Sequence, residues 1–253
     1  MSTMDERRER AATGVAMNAD GDGWYGDFAR PRIVLQPIAA PSVLGLFGFA
    51  GGTFIVAANL ANWFGTAATP GYLFPFAFFF GGVAQFAAGL WAYRARDAVA
   101  TAMHGMWGSF WLAYGVLQLL VVTGQLATGQ TMNHAFGFWF IPLCAITVSG
   151  MLGAFVEGGF GLTAVLGTLA AGAAVAAIGF LRDNVTTQHA AGWVFIAAAA
   201  LAWYMATAMM LTSAAGKVVL PLFKREHDAN VPGATPTRAI QLEWAEPGIK
   251  HGQ

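Results

Sequence analysis

The fold of this chain is decided by residues 81–114, which read GGVAQFAAGLWAYRARDAVATAMHGMWGSFWLAY. The stretch contains the end of one apolar segment (72–93), a short charged break, and the start of a second apolar segment (98–122). Each segment is long enough to cross the ~30 Å hydrocarbon core of a bilayer as a helix. The stretch therefore predicts two transmembrane helices joined by a tight turn that carries Arg94, Arg96 and Asp97.

Large side chains recur every three or four residues along the second segment. His104, Trp107, Trp111 and Tyr114 follow this spacing, which places them on one stripe of a helix. We expect that stripe to face other helices.

The composition of the whole chain extends the membrane interpretation. Of its 253 residues, 57% are hydrophobic and 10% are charged, whereas soluble domains carry about 25% charged residues. Only six charged residues lie between Val43 and Leu211, and the other twenty lie towards the two ends. This distribution is typical of a polytopic membrane protein with polar ends.

Apolar runs of about 20 residues predict an all-α protein with six transmembrane helices. A β-barrel is disfavoured because the runs are continuously apolar, whereas barrel strands alternate. The helices are predicted at residues 43–64, 72–93, 98–122, 136–156, 160–181 and 189–211.

The basic residues predict that both ends of the chain are cytoplasmic. With the N-terminus inside, ten Arg and Lys residues between Arg7 and Arg225 fall on the cytoplasmic side and only Arg182 falls outside, in accordance with the positive-inside rule. We therefore expect a cytoplasmic, disordered tail at 1–37, a six-span domain at 38–222, and a cytoplasmic tail at 223–253. The expected location is the plasma or inner membrane, as a multi-pass protein.

Several function classes have no support in the sequence. The formal net charge is zero, so nucleic acid is not expected as a partner. A phosphate-binding GxxxxGK[ST] loop, a HExxH motif and a ladder of Arg are all absent from the sequence, so we do not expect an enzyme, a primary pump or a voltage sensor. No cofactor and no metal are expected, and Cys144 is the only cysteine.

Uncharged polar residues in the predicted spans are candidates for a substrate pathway. Unsatisfied polar groups are costly in hydrocarbon, so they should face the interior of the bundle. There the polar side chains either form hydrogen bonds between helices or contact a solute. The candidates are Thr53, Asn59, Gln85, His104, Ser109 and Tyr204, and for Ser109 and Thr147 we favour bonding between helices.

Bulky rings within the spans are candidates for a constriction. Phe49, Trp107 and Trp111 could narrow a pore, although aromatic residues in spans also serve for packing and lipid contact. The sequence alone leaves both interpretations open.

Four segments of the chain resemble the acetate uptake transporter family, which includes the bacterial succinate–acetate permeases and fungal acetate permeases. The first contains the signature residues Pro41, Leu44, Gly45, Leu46 and Gly48. The others are GGVAQ at 81–85 with the Ala-Gly pair at 88–89, GSFWL at 108–112, and the set of AGW at 191–193, YMA at 204–206 and VLP at 219–221.

The resemblance implies a pore in each protomer of a homo-hexamer, through which acetate, and in bacteria succinate, passes with protons. It also implies a hydrophobic constriction formed by Phe, Tyr and Leu, which correspond here to Phe49, Trp107 and Leu169. Gln85 matches a family glutamine. Two departures are that Trp replaces Tyr at position 107, and that the signature Asn-Pro-Ala-Pro is replaced by Ala40-Pro41-Ser42-Val43.

Small carboxylates, protons and the lipid bilayer are thus the expected partners. A channel for another small solute, such as ammonia, is an alternative. A membrane sensor or scaffold is a second alternative, and a bundle packed solidly through its centre would favour it.

Overall fold

The computed structural model describes residues 38–226 and 230–234. The predicted tail at 1–37 lies outside these residues, as does most of the predicted tail at 223–253. Six apolar helices are long enough to cross a membrane, which confirms the all-α prediction. They are α1 (Pro41–Leu60), α2 (Pro70–Ala95), α3 (Ala98–Val122), α4 (Gln130–Val156), α5 (Phe160–Leu181) and α6 (Val185–Ala215).

Two helices begin earlier than hydropathy predicted. Helix α4 begins at Gln130 rather than 136, and α6 begins at Val185 rather than 189. The first turns contain polar residues that a hydropathy window excludes. In α6 the start is fixed by Asn184, whose Oδ1 accepts a hydrogen bond of 2.9 Å from the Thr187 amide, as an N-cap does.

Helix α2 contains a π-helical segment that the sequence analysis did not predict. The helix is α-helical at Pro70–Phe76, π-helical at Ala77–Ala84 and α-helical again at Gln85–Ala95. Pro75 lies inside the first part, where its ring and missing N–H disturb the regular hydrogen bonding. Wide turns of this kind are frequent at functional sites.

The helices form a ring in chain order. Each helix packs against the next, and α6 packs against α1 to close the ring. Links 61–69, 123–129 and 182–184 lie at one end of the bundle, which we call the long-loop face. Links 96–97 and 157–159 lie at the other end, which we call the short-loop face.

Glycine residues allow close approach at several helix contacts. A Cβ atom added to Gly48 would lie 2.5 Å from the Phe80 carbonyl oxygen, and one added to Gly192 would lie 2.5 Å from the Ala61 nitrogen. Both neighbours are backbone atoms and cannot rotate away. The α1–α2 and α1–α6 contacts therefore depend on the absence of side chains, as is common between membrane helices.

The segment after α6 docks on the short-loop face. The Phe160 amide donates to the Phe223 carbonyl (2.8 Å), and the Arg225 amide donates to the Gly158 carbonyl (2.8 Å). The Tyr204 hydroxyl donates to the Pro221 carbonyl (2.9 Å). Val218 and Leu222 are buried, so the segment is part of the packed structure.

Candidate functional site

A cluster of rings occupies the centre of the helix ring. Phe49 and Trp107 are each 2% exposed, and their rings meet edge to face with centroids 6.1 Å apart. Phe110 and Phe195 pack against Trp107 at centroid distances of 5.4 and 6.5 Å. Leu169 is also 2% exposed. All three predicted constriction residues are therefore buried within the bundle rather than exposed on its outer surface.

The Trp107 indole is held by a hydrogen bond as well as by packing. Its Nε1 donates to Thr147 Oγ1 of α4 at 2.9 Å, and that hydroxyl donates to the Leu143 carbonyl at 2.6 Å. Thr147 is completely buried. The threonine thus satisfies the one polar atom of the indole and fixes the orientation of the ring. A tyrosine at position 107 would place its polar atom elsewhere.

A cavity of about 190 Å³ lies between this cluster and the long-loop face. We call it the vestibule. Trp107, Phe110, Phe140 and Phe195 form its deep part, and Phe136 and Phe180 lie farther towards the long-loop face. Its volume corresponds to roughly six molecules of liquid water, which is sufficient for a short carboxylic acid. The residues that line the vestibule do not extend beyond the Trp107 ring towards the short-loop face.

Two polar atoms in the vestibule wall have no hydrogen-bond partner. Thr53 Oγ1 and Trp111 Nε1 are both buried, and neither bonds to another group among the described residues. An unpaired buried donor costs about 1–3 kcal/mol. Neither atom is accessible to solvent, so a ligand would reach it only after a small side-chain movement.

The mouth of the vestibule is polar at two further residues. Asn59 lines it, while the Asn59 Nδ2 donates to the Phe64 carbonyl at 2.9 Å and ties the end of α1 to the following loop. Gln118 lines it one turn beyond Tyr114 on α3. Among the predicted pathway residues, Thr53 and Asn59 thus reach this cavity.

The other predicted pathway residues lie elsewhere. Ser109 lines a groove on the outside of the bundle between α2 and α3, and its hydroxyl donates to the Gly105 carbonyl at 2.8 Å. This bond lies within α3, whereas the sequence analysis favoured bonding between helices. Tyr204 bonds to the docked segment after α6. Gln85 and His104 are buried in the protein but do not line the vestibule.

The signature residues organise the start of α1. Pro41 is its first residue, where a missing amide hydrogen costs nothing. Leu46 is buried and Leu44 is half exposed. Gly45 faces the His104 ring, and Gly48 faces the backbone of α2. The motif therefore acts mainly through helix contacts next to Phe49.

Sequence reasoning missed most of the vestibule wall. The stripe of His104, Trp107, Trp111 and Tyr114 was predicted, and all four residues are buried. Phe136, Phe140, Phe180 and Phe195 were not singled out. The chain has twenty Phe residues, and its spans are apolar on all sides, so periodicity does not separate inward from outward rings.

With this geometry in place, comparison with known proteins assigns the family. Residues 29–224 match the GPR1/FUN34/yaaH family. The chain belongs to this family. The match covers all six helices, so the resemblance predicted from the four motifs is confirmed, and the GPR1/FUN34/yaaH assignment makes the chain a multi-pass membrane protein.

Relatives within the GPR1/FUN34/yaaH family are named for transport. The chain is 30% identical to the succinate-acetate/proton symporter SatP of Escherichia coli K12, over 73% of this chain and 95% of that protein. It is 25% identical to the ammonia transport outward protein 2 of Saccharomyces cerevisiae, over 74% of this chain and 68% of that protein. These names confirm the prediction of a transport protein rather than an enzyme.

A solved structure supports the fold. The structure of the bacterial acetate channel SatP superposes with a TM-score of 0.67 at 27% identity, covering 74% of this chain and 99% of that one. The fold of this chain is therefore similar to that of the bacterial acetate channel SatP.

Proposed function

We propose that the protein carries acetate and related small carboxylates across the membrane, in a process linked to protons. The observation that carries the proposal is the vestibule, which ends at the Phe49–Trp107 ring pair and presents two unpartnered polar atoms. The relationship to a succinate-acetate/proton symporter supports the substrate class.

The vestibule suits a short carboxylate in two ways. The hydroxyl of Thr53 and the indole N–H of Trp111 can donate hydrogen bonds to carboxylate oxygens. The surrounding rings suit the alkyl part of the molecule. A hydrated inorganic ion would lose its water ligands among these rings without gaining protein ligands in return. Apolar constrictions can also stop passage because water leaves them. The wall therefore favours a small solute with one polar end.

We place the constriction at Phe49, Trp107 and Leu169. All three side chains are buried in the interior, and passage requires the rings to move aside. Thr53 and Asn59 are assigned to the pathway on the vestibule side, and Gln85 and His104 beyond the rings. Ser109 and Tyr204 are assigned to structural bonds, given their partners.

We also propose that the short-loop face is cytoplasmic. Arg94 and Arg96 lie at that face, and Arg225 lies in the segment docked there, in agreement with the positive-inside rule. The vestibule then opens to the outside of the cell. The proposed location is the plasma or inner membrane.

Assembly as a homo-hexamer is part of the proposal, as the family resemblance implies. Large apolar residues cover the outside of the bundle, including Phe79, Phe80 and Trp91, each more than half exposed. Lipid or neighbouring protomers can cover such surfaces. Native mass spectrometry from detergent would measure the number of protomers.

Uptake into proteoliposomes tests the function. Labelled acetate, succinate and butyrate are compared with and without a pH gradient. Thr53→Val should lower acetate uptake, because it removes a donor from the vestibule. Thr207→Val is the matched control, since its hydroxyl is exposed and bonds only within α6. Absence of carboxylate uptake by the wild-type protein would contradict the proposal.

Ammonia is the second candidate solute, because yeast relatives are named for ammonia transport. Competition separates the two. Excess acetate should inhibit labelled carboxylate uptake, whereas it should leave an ammonia pathway unaffected. If methylammonium uptake is found and acetate does not compete with it, ammonia transport is the better description.

A further inference from the structure

A groove of about 550 Å³ runs along the outside of the bundle between α2 and α3, and we call it the outer groove. Its floor is a contact between the two backbones, since a Cβ atom built on Gly89 would lie 2.7 Å from the Gly105 nitrogen. A Cβ atom built on Gly105 would meet no described atom within 4 Å, so space remains above the floor. The proposed transport pathway does not use this space.

The outer groove has one polar end and one apolar end. Tyr93 and Arg96 line it at the short-loop face, and Phe86 and Met106 line its apolar part. The α3 residues in its wall run from 98 to 109, a length of about 17 Å at 1.5 Å per residue. One leaflet provides roughly half of the ~30 Å hydrocarbon core. The groove is therefore about as long as one leaflet is deep.

Arg96 occupies a backbone position at which glycine is usual. It directly follows α2 and has φ 60° and ψ 32°, in the left-handed region. The Arg96 amide donates to the Tyr93 carbonyl, and the Asp97 amide donates to the Ala92 carbonyl. Helices that end in this way usually carry glycine at the left-handed position, because a side chain there is disfavoured. An arginine in this conformation therefore calls for a role of its side chain.

The charges at the polar end favour an anion. The break between α2 and α3 carries two arginines and one carboxylate. That carboxylate belongs to Asp97, whose Oδ1 accepts a hydrogen bond of 2.8 Å from the Ala100 amide and so caps α3. The Arg96 guanidinium has five N–H donors, so it can bind a phosphate while it keeps a protein partner. Tyr93 is 71% exposed and adds a hydroxyl donor.

A phospholipid with an anionic head group has the chemistry that matches this groove. Its phosphate lies at the level of the membrane interface, and its acyl chain extends through one leaflet. Basic pockets between transmembrane helices bind anionic head groups at this level. A water-soluble phosphate would leave the apolar part of the groove uncovered. The combination of a cationic end and an apolar length thus favours a lipid over a free anion.

We propose that the outer groove binds one anionic phospholipid. The phosphate accepts hydrogen bonds from Arg96 and Tyr93, and one acyl chain lies on the floor formed by Gly89 and Gly105. The site is on the outside of the bundle, so it does not depend on which solute the protein carries.

Lipid binding to the purified full chain tests the polar end. Phosphatidylglycerol is added to delipidated protein in a neutral detergent, and native mass spectrometry counts the bound lipids, with phosphatidylcholine of the same acyl chains for comparison. Arg96→Gln should lower the affinity for phosphatidylglycerol about tenfold, which corresponds to about 1.4 kcal/mol. Hydrogen bonds to charged groups contribute on this scale.

Arg94→Gln is the matched control for Arg96→Gln. It removes the same charge from the same end of α2, but Arg94 is exposed and lies outside the groove lining. The neutral detergent removes the general attraction of basic residues to a charged bilayer surface, which both arginines would feel. The Arg94 variant should therefore keep the affinity of the wild-type protein.

A second pair of variants tests the apolar part of the groove and does not alter the charged turn. Ala102 is exposed and lines the groove, whereas Ala113 is exposed on α3 outside it. Ala102→Phe should place a ring in the path of the acyl chain and remove most of the binding. Ala113→Phe adds the same ring to the same helix and should leave the binding unchanged.

Thermal unfolding distinguishes the lipid from a soluble anion. A ligand that binds only the folded protein raises its Tm, so phosphatidylglycerol should raise the Tm of the wild-type protein more than phosphatidylcholine does. Glycerol phosphate has the head-group chemistry without an acyl chain and should not raise it. The rise with phosphatidylglycerol should be lost in Arg96→Gln and Ala102→Phe and kept in their two controls.

Three results would overturn the lipid site. Equal losses of binding in Arg96→Gln and Arg94→Gln would show that net charge alone attracts the lipid. A Tm rise with glycerol phosphate as large as that with phosphatidylglycerol would assign the polar end to a soluble anion. A wild-type oligomer without bound lipid, whose number of protomers falls in Ala102→Phe, would assign the groove to a second copy of the chain. None of these measurements uses transport, so the lipid site and the proposed carboxylate transport stand or fall separately.

Discussion

The indole of Trp107 donates a hydrogen bond of 2.9 Å to the hydroxyl of Thr147, across the interface between α3 and α4. This bond joins the Trp107 side chain, at the deep end of the vestibule, to the neighbouring helix α4. The orientation of the Trp107 ring therefore depends in part on one threonine.

Replacing Thr147 by valine should destabilise the protein and loosen the packing of the Trp107 ring. Valine has the same shape but leaves Trp107 Nε1 without a partner, which costs about 1–3 kcal/mol. We expect a lower Tm in detergent and faster uptake of acids larger than acetate. Thr168→Val is the control, because the Thr168 hydroxyl is exposed and bonds only within α5. Equal Tm values for the two variants would contradict this role of Thr147.

Replacing Trp107 by alanine should widen the constriction. The ring pair with Phe49 is lost, and we expect butyrate and succinate uptake to increase relative to acetate, with a stability loss of about 3–5 kcal/mol. Trp107→Tyr, the residue that the family resemblance implies, should keep a ring at this position. Trp203→Ala is the control, since that side chain lies on the outer surface of α6. An unchanged order of substrates in Trp107→Ala would argue against the constriction.

Adding a methyl group at Gly48 should disrupt the contact between α1 and α2. The new Cβ would lie 2.5 Å from the Phe80 carbonyl oxygen, and that backbone atom belongs to the π-helical segment. We expect a lower Tm and lower uptake. Gly105→Ala is the matched control, because its Cβ would meet no atom within 4 Å, and alanine favours a helix over glycine by about 1 kcal/mol. If both variants lower the Tm equally, close packing at Gly48 is not the cause.

Low pH should weaken the hydrogen bonding that connects α4 to the link between α5 and α6. The hydrogen bond from Asn133 Nδ2 (2.7 Å) to Asp183 holds the pKa of that carboxyl below its usual value, with His134 Nε2 3.4 Å away. Because the folded pKa is lowered, the stabilisation is present above the unfolded pKa of about 3.9 and is lost as the pH falls through the folded pKa.

Thermal unfolding measured between pH 6 and pH 3 tests whether this hydrogen bonding contributes to stability. The Tm of the wild-type protein should fall more steeply below pH 4 than that of Asp183→Asn. Asparagine tolerates the positive φ of 48° at this position, so the variant adds no backbone strain. Parallel curves for the two proteins would exclude a contribution from the Asp183 carboxylate.

The sequence predicted the parts of this structure that depend on hydropathy. Six spans follow from the length of the apolar runs, and the inward stripe of α3 follows from the spacing of His104 and Trp107. The early starts of α4 and α6 were missed, because their first turns are polar and lie outside the apolar core.

The vestibule was beyond prediction for a different reason. Soluble helices reveal their buried face through polar residues on the other face, but membrane helices are apolar towards lipid as well. Phe180, which faces the vestibule, and Phe79, which is exposed, therefore look alike in the sequence. The π-helical segment begins two residues after Pro75, and the sequence prediction did not take that proline into account.

The closure of the helix ring bears on how fast a solute can cross. Because Gly192 brings the backbone of α6 against that of α1, these two helices cannot separate without losing a close backbone contact. In the proposed pathway, permeation requires Trp107 and its neighbouring rings to reorient. Trp107 is buried among other rings and bonded to Thr147, so the rate of the proposed transport depends on how often this packed aromatic cluster rearranges.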